Sequence, residues 1–143
     1  MPHLLAADLA VTGSRDLRWM ACDACAYLQT RGDTRAAHDL ASDLRQHWRE
    51  RLGDDDATTR VVTNYLAWTL REMGRYAEAR DLDQDTLDRT RRIEGADNSN
   101  ALTYAIDLAS DLRNLGEHQA ARELDEDTLA RRRRVLGDDA PTS

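Results

Sequence analysis

The glycines of this chain mark out a ruler. Gly32, Gly74 and Gly116 are spaced by 42 residues, and so are Gly53, Gly95 and Gly137. Two independent sets of markers with one spacing define an internal repeat, and a repeat of that length signals supersecondary units stacked in sequence. Other residues follow the same ruler. Tyr65–Ala101 laid over Asp107–Ser143 gives about 17 identities in 37 positions. The stretch from Ala79 to Leu87 reads ARDLDQDTL, and that from Ala121 to Leu129 reads ARELDEDTL. The first copy is more diverged, yet Leu28, Gly32, Ala37, Leu40, Asp43 and Arg49 stay in register.

Each unit reads as two helices. In the middle unit Val62, Leu66, Leu70 and Met73 recur along one side of a 3.6-residue period. Ala67 is small beside that stripe, so a second helix can approach closely. Gly74 ends the first helix, since glycine accepts the left-handed conformation at a helix terminus without steric penalty. A second helix then runs to about Ile93, with Tyr76, Ala79, Leu82, Thr86 and Ile93 on its inner side, and Gly95 stops it. The same reading gives helices at about 15–31, 33–52, 57–73, 75–94, 99–115 and 117–136. Ser14, Asp33 and Ser99 carry side-chain oxygens suited to N-caps. Residues 3–11 are expected to be the end of a preceding helix. No alternating run suggests a strand.

These spans divide a single domain over 1–143 into a leading piece 1–13, repeats at 14–56, 57–98 and 99–137, and a tail at 138–143. The expected fold is all-α, a right-handed superhelical solenoid of antiparallel helix pairs. The composition agrees. Alanine, leucine, arginine and acidic residues dominate, while proline occurs only twice, as in helical proteins.

The helix pairs resemble a known family. Leu66-Ala67, Leu70, Gly74-Arg75-Tyr76 and Ala79 look like a tetratricopeptide repeat. The 42-residue period, the Arg-rich second helix and the terminal Leu-Gly-Asp-Asp resemble its kinesin-light-chain-like subclass. That resemblance covers roughly residues 14–143. It implies a groove lined by the first helix of each pair, used to hold another protein or a peptide. It also implies a place in the sensor arm of a larger bacterial signal-transducing NTPase. The inter-repeat loops depart from the subclass pattern of His-Pro and Thr: they read Asp56-Ala57-Thr58, Asn98-Ser99-Asn100 and Ala140-Pro141-Thr142. The usual Asn pair of the first helix is replaced by Cys22-Asp23, Asn64-Tyr65 and Ile106-Asp107. No residues match the Lys/Asn/Arg clamp with which some relatives hold a C-terminal carboxylate.

Candidate binding residues follow from the side of each first helix opposite its apolar stripe. In the middle repeat that line is Arg60, Asn64, Trp68 and Arg71, with Tyr65 beside it. In the third it passes Leu102, Ile106, Ser110 and Arg113, with Asp107 beside it. In the first it is Arg18, Cys22, Ala26 and Gln29. A tryptophan ring offers large contact area at low entropic cost, and arginine offers a planar fork of donors for carboxylates or carbonyls. The peptide-binding set is therefore Arg60, Asn64, Tyr65, Trp68, Arg71, Asp107, Ser110 and Arg113.

Other chemistry is not expected. Cys22 and Cys25 are the only cysteines, and Cys25 falls at the close-packing position of Ala67 and Ala109, so both read as core. His3, His38, His47 and His118 show no ligand spacing, and neither a metal nor another cofactor is implied. Asp83 and Asp125 stand where the common repeat has an apolar core residue. Each then needs an arginine from an adjacent helix, such as Arg71 or Arg113. Arg131 to Arg134 spread around a helix axis instead of forming a patch. Arg89, Arg91 and Arg92 echo them, and Asp85, Glu126 and Asp127 are placed for i,i+4 pairing.

No Gly-rich phosphate loop, nucleophile elbow or zinc spacing appears, so a non-catalytic scaffold is expected and not an enzyme. The formal net charge is −7, which opposes nucleic-acid binding through the Arg helices and binding to anionic membranes. No run approaches the roughly 18 apolar residues of a spanning helix, and no leader is recognisable at the N-terminus, so the cytoplasm is expected. Lysine is absent while arginine is abundant, a usage typical of GC-rich bacterial genomes. A second expectation is self-association through the open end of the solenoid, where Val135 and Leu136 lack a following repeat.

Overall fold

The structure is a computed structural model that describes residues 15–137. Six helices follow one another: α1 Arg15–Arg31, α2 Thr34–Leu52, α3 Ala57–Glu72, α4 Tyr76–Glu94, α5 Ser99–Asn114 and α6 His118–Leu136. No strand occurs among the described residues. Every helix boundary lies within one position of the sequence expectation. The expected helix at 3–11, the Ser14 cap and the tail at 138–143 lie outside the described residues.

The glycine ruler reappears as backbone hydrogen bonding. Gly74 has φ of 80°, its N–H donates to Arg71 O at 3.0 Å, and the N–H of Arg75 donates to Leu70 O at 2.8 Å. This paired arrangement closes a helix C-terminus around a left-handed residue. It recurs one repeat away in both directions: Gly32 with Gln29 and Asp33 with Leu28, then Gly116 with Arg113 and Glu117 with Leu112. The second helices end on a different pattern, also periodic. Gly53, Gly95 and Gly137 donate to the carbonyls of Arg49, Arg91 and Arg133.

The helix starts are capped by acceptors one repeat apart. Asp56 Oδ1 accepts from Thr58 N at 2.9 Å and Thr59 N at 3.2 Å. Asn98 does the same for Asn100 N at 2.8 Å. Asn98, one position earlier, thus takes the capping role expected of Ser99, because Ser99 already has helical backbone. Asp33 caps α2 as expected, accepting from Ala36 N at 3.4 Å.

The described residues form two compact units, one ending at Arg75 and the other beginning at Tyr76. In the first, α1 packs on α2 and α3, and α2 packs on α3. Ala37, Ala41, Leu44 and Trp48 form the buried side of α2, and Val62, Leu66, Ala67 and Leu70 that of α3. Both sets follow the helical period. In the second unit α5 packs on both α4 and α6. Its centre is Leu87 with Ala101, Tyr104, Ala105 and Leu108, flanked by Leu112 and Leu124.

Register-equivalent residues share environments: Val62 and Tyr104, Leu66 and Leu108, Ala67 and Ala109, Ala79 and Ala121, Thr86 and Thr128 are all buried. Met73 and Ile93, expected on the inner side, are exposed. Met73 is the C-cap of α3 and Ile93 lies in the last turn of α4, where the stripe has run past the packed region. Threonine takes an unusual share of the interior. Thr63 Oγ1 donates to Thr59 O at 2.7 Å, Thr69 Oγ1 to Leu66 O at 2.6 Å, and Thr128 Oγ1 to Leu124 O at 2.9 Å. Such bonds back to the preceding turn satisfy the hydroxyl without a tertiary partner.

Candidate binding surface

On α3 the buried positions 59, 62, 63, 66, 67 and 70 leave one side accessible. That side carries Val61, Asn64, Tyr65, Trp68 and Arg71, all half-buried. It joins an aromatic ring, an amide and a guanidinium along about three turns of one helix.

Arg60 does not share that side. It is only 5% exposed, and its Nε donates to the carbonyl of Asp55 at 3.0 Å. The loop before α3 takes up this guanidinium. Its counterpart one repeat on, Leu102, is buried as well, so the position faces inward in both repeats.

In the second unit, α5 presents Thr103, Ile106, Asp107, Ser110 and Arg113 one repeat after the α3 set, each exposed or half-buried. Arg113 Nη1 meets Asp125 Oδ2 at 2.5 Å. This is the inter-helix pair anticipated for Asp125. Its setting differs from the expected buried one, since both side chains are nearly half exposed; α6 bears no further helix over Asp125 among the described residues. Asp83, by contrast, has no solvent exposure.

Cys22 and Cys25 are buried in α1. Burial, reinforced by Cys25, Asp23 and Asp56 and opposed by Arg18, pushes the Cys22 thiol up to about 12. Burial alone pushes Cys25 to about 12. Neither is a thiolate near neutrality, so neither is poised as a nucleophile. Burial first, then Cys22, Cys25 and Asp23, raises the phenol of Tyr65, which borders the accessible side of α3 and is half-buried.

The arginine-rich second helices are knitted to acidic residues. Arg131 Nε meets Asp127 Oδ2 at 2.7 Å and its Nη1 meets Asp97 Oδ1 at 2.9 Å. Arg91 Nη2 lies 3.6 Å from Asp127 and Arg134 Nε 3.8 Å from Asp97. One repeat earlier Arg89 pairs with Asp85 at 2.8 Å. The pairings expected of Asp85 and Asp127 are present, whereas Glu126 is exposed on α6. Sequence reasoning missed Asp97, which sits in the loop before α5 and is tied to Arg131 by no within-helix rule. No group of three or more His, Cys, Asp or Glu that could hold a metal is found among the described residues, and no described helix is long and apolar enough to cross a membrane.

These features define a class: an all-α helical-repeat solenoid whose helix pairs recur at the spacing of the glycines. A family profile for the tetratricopeptide repeat matches residues 59–100 and 101–141, more than half the chain. The chain belongs to the tetratricopeptide repeat family. No curated protein sequence matches it. Among solved structures it is similar to a putative kinesin light chain from Podosopora anserina with nearly identical tetratricopeptide-like repeats. That match has 16% identity and a TM-score of 0.71, over 86% of this chain and 58% of that one. It is also similar to BtubC (BKLC) from P. vanneervenii, with 12% identity and a TM-score of 0.74, over 91% of this chain and 52% of that one. The chain therefore spans little more than half the length of either structure.

Proposed function

We propose that this chain is a protein- or peptide-binding scaffold that works through the accessible sides of its first helices. The anchor is α3, where Asn64, Tyr65, Trp68 and Arg71 offer apolar area and directional hydrogen bonds together. Asp107, Ser110 and Arg113 are the matching positions on α5, with chemistry changed enough to select a different ligand feature. Arg60 serves the scaffold by fixing the loop before α3. The observation that carries the reading is the half-buried Trp68 between Asn64 and Arg71 on a helix whose opposite side is closed. Aromatic area flanked by donors is the composition of binding hot spots.

The finer reading is a sensor arm of a larger bacterial regulator, acting in the cytoplasm. The subclass resemblance and the arginine-only basic composition support it. An NTPase core encoded in the same gene product would be the direct test of that part.

The binding surface itself is tested by selecting peptides against the chain from a displayed library and measuring affinity by fluorescence anisotropy. Trp68→Ala with Arg71→Ala should weaken the selected peptides at least ~tenfold, about 1.4 kcal/mol or more. Peptides that bind the double variant unchanged would place the site elsewhere.

A further inference from the structure

In the first unit two first helices lie side by side. α1 packs on α3, and Arg18 Nε on α1 donates to Thr58 Oγ1 on α3 at 3.1 Å. Further along, the charges of Cys22, Cys25 and Asp23 on α1 act on the Tyr65 phenol of α3. Both links join residues about one repeat apart, so the helices run parallel and in register. Trp19 and Asp23 on α1 are then the counterparts of Val61 and Tyr65 on α3, and the accessible sides of the two helices form one surface.

That surface carries an aromatic ring followed by a carboxylate twice over. On α1, Trp19 is half-buried and Asp23, one turn on, is exposed. On α3, Trp68 is half-buried and Glu72, one turn on, is exposed. Residues at this spacing are neighbours on a helix surface. Neither Asp23 nor Glu72 takes part in an ion pair or hydrogen bond among the described residues, whereas Asp85 and Asp127 on the second helices are paired to arginine. The scaffold does not demand the rings, since the same positions on α5 hold Thr103, Asp107, Ser110 and Asn114. At its C-terminal end α1 already shows what a guanidinium does beside a ring. Arg31 Cζ lies 5.7 Å from the centroid of the Tyr27 ring, and its Nη1 donates to the Tyr27 hydroxyl at 3.1 Å.

We propose that the surface selects peptides by an arginine side chain, whose guanidinium stacks on Trp19 or Trp68 and pairs with Asp23 or Glu72 one turn along. A planar guanidinium can present its face to a ring while its edge forks onto a carboxylate, which an ammonium cannot do. The formal net charge of −7 favours the approach of a cationic ligand. Arg71 keeps its part as a donor to the carbonyls of the bound peptide. The inference rests on the binding surface proposed above and names the ligand chemistry that surface takes.

The test uses the full chain and two displayed libraries of short peptides, one with arginine as its only charged residue and the other with glutamate in its place. Both are selected against the wild type, and the binders are measured by fluorescence anisotropy. Binders should come from the arginine library. Replacing their arginine by citrulline, its uncharged isostere, should weaken them at least ~tenfold. Asp23→Asn with Glu72→Gln removes the charges at exposed side chains while keeping their shape. This double variant should abolish most of the difference between arginine and citrulline and flatten the salt dependence of binding. Binders drawn chiefly from the glutamate library overturn the inference, and so does equal binding of arginine and citrulline peptides. An arginine preference that survives in the double variant overturns it too. Trp68→Ala with Arg71→Ala separates the two readings. If it weakens binders that carry glutamate, the surface stands and only the selection of arginine falls. If it leaves arginine binders unchanged, or if neither library yields a binder, the surface reading falls and this inference with it.

Discussion

Replacing Leu87 by alanine and, separately, Leu129 by alanine makes the same chemical change at equivalent register positions. The two sites differ in burial, at 0% and 49% exposure. Leu→Ala removes about three methylene equivalents, worth roughly 2.4 kcal/mol of transfer free energy when fully buried. At Leu87 the surrounding Tyr104, Ala105 and Leu108 belong to a packed helix. They can close only part of the hole, and the residual cavity lifts the loss to about 3–4 kcal/mol. At Leu129 about half the transfer free energy applies and no cavity forms, so the loss is about 1 kcal/mol. Thermal unfolding followed by circular dichroism reads the difference. Leu87→Ala should lower the melting temperature by about 6–16 °C, at roughly 2–4 °C per kcal/mol for a chain of this size. Leu129→Ala should lower it by no more than about 4 °C. Equal losses at the two positions would refute the reasoning, because the register would then not distinguish a covered joint from an open one.

Further outcomes follow from the caps, the thiols and the ion pairs. Asp56→Ala removes the acceptor for Thr58 N and Thr59 N and should cost about 1 kcal/mol in urea unfolding, with the slope unchanged. The Cys22 and Cys25 thiols, raised from 9.0 to about 12, favour the protonated form in the folded state. Their contribution is complete below pH 9 and is lost as pH rises toward 12, so the urea midpoint should fall in that window and fall less in the Cys22→Ala/Cys25→Ala double variant. The same thiols should resist alkylation at mildly alkaline pH until the chain is unfolded, which a mass-shift assay with and without urea would show. Arg131→Ala breaks pairs to Asp97 and Asp127 that remain partly exposed; the loss should be below about 1 kcal/mol and should shrink in high salt.

Much of the fold was legible because the repeat is written in residues with few conformational alternatives. Glycine at 32, 74 and 116 reports a left-handed C-terminus directly, and the apolar spacing of Val62, Leu66 and Leu70 reports a buried face. Packing at helix ends was less legible. The period that carries Leu70 inward also pointed Met73 inward, but periodicity has no record of where the neighbouring helix stops. The Asn98 cap was read one position late because serine and asparagine are both good acceptors, and only backbone geometry separates the cap from the first helical residue. Burial of Arg60 was hidden in a similar way. Its spacing from Asn64 and Trp68 puts it on their line, yet the preceding loop, which the spacing ignores, presents the Asp55 carbonyl to it. Arg131 with Asp97 lay beyond any local rule because it links an inter-repeat loop to a later helix.

The central claim is that helix pairs recur at one fixed period and gain their stability by being covered in sequence. Residue-resolved amide hydrogen exchange on the dilute chain tests it most directly. Protection should rise and fall with the six helices, break at Gly74-Arg75 and Gly95–Asn98, and be markedly weaker in α6 than in the register-equivalent α4, whose face α5 covers. Protection of α6 equal to that of α4, or a pattern that does not repeat in step with the glycines, would contradict it.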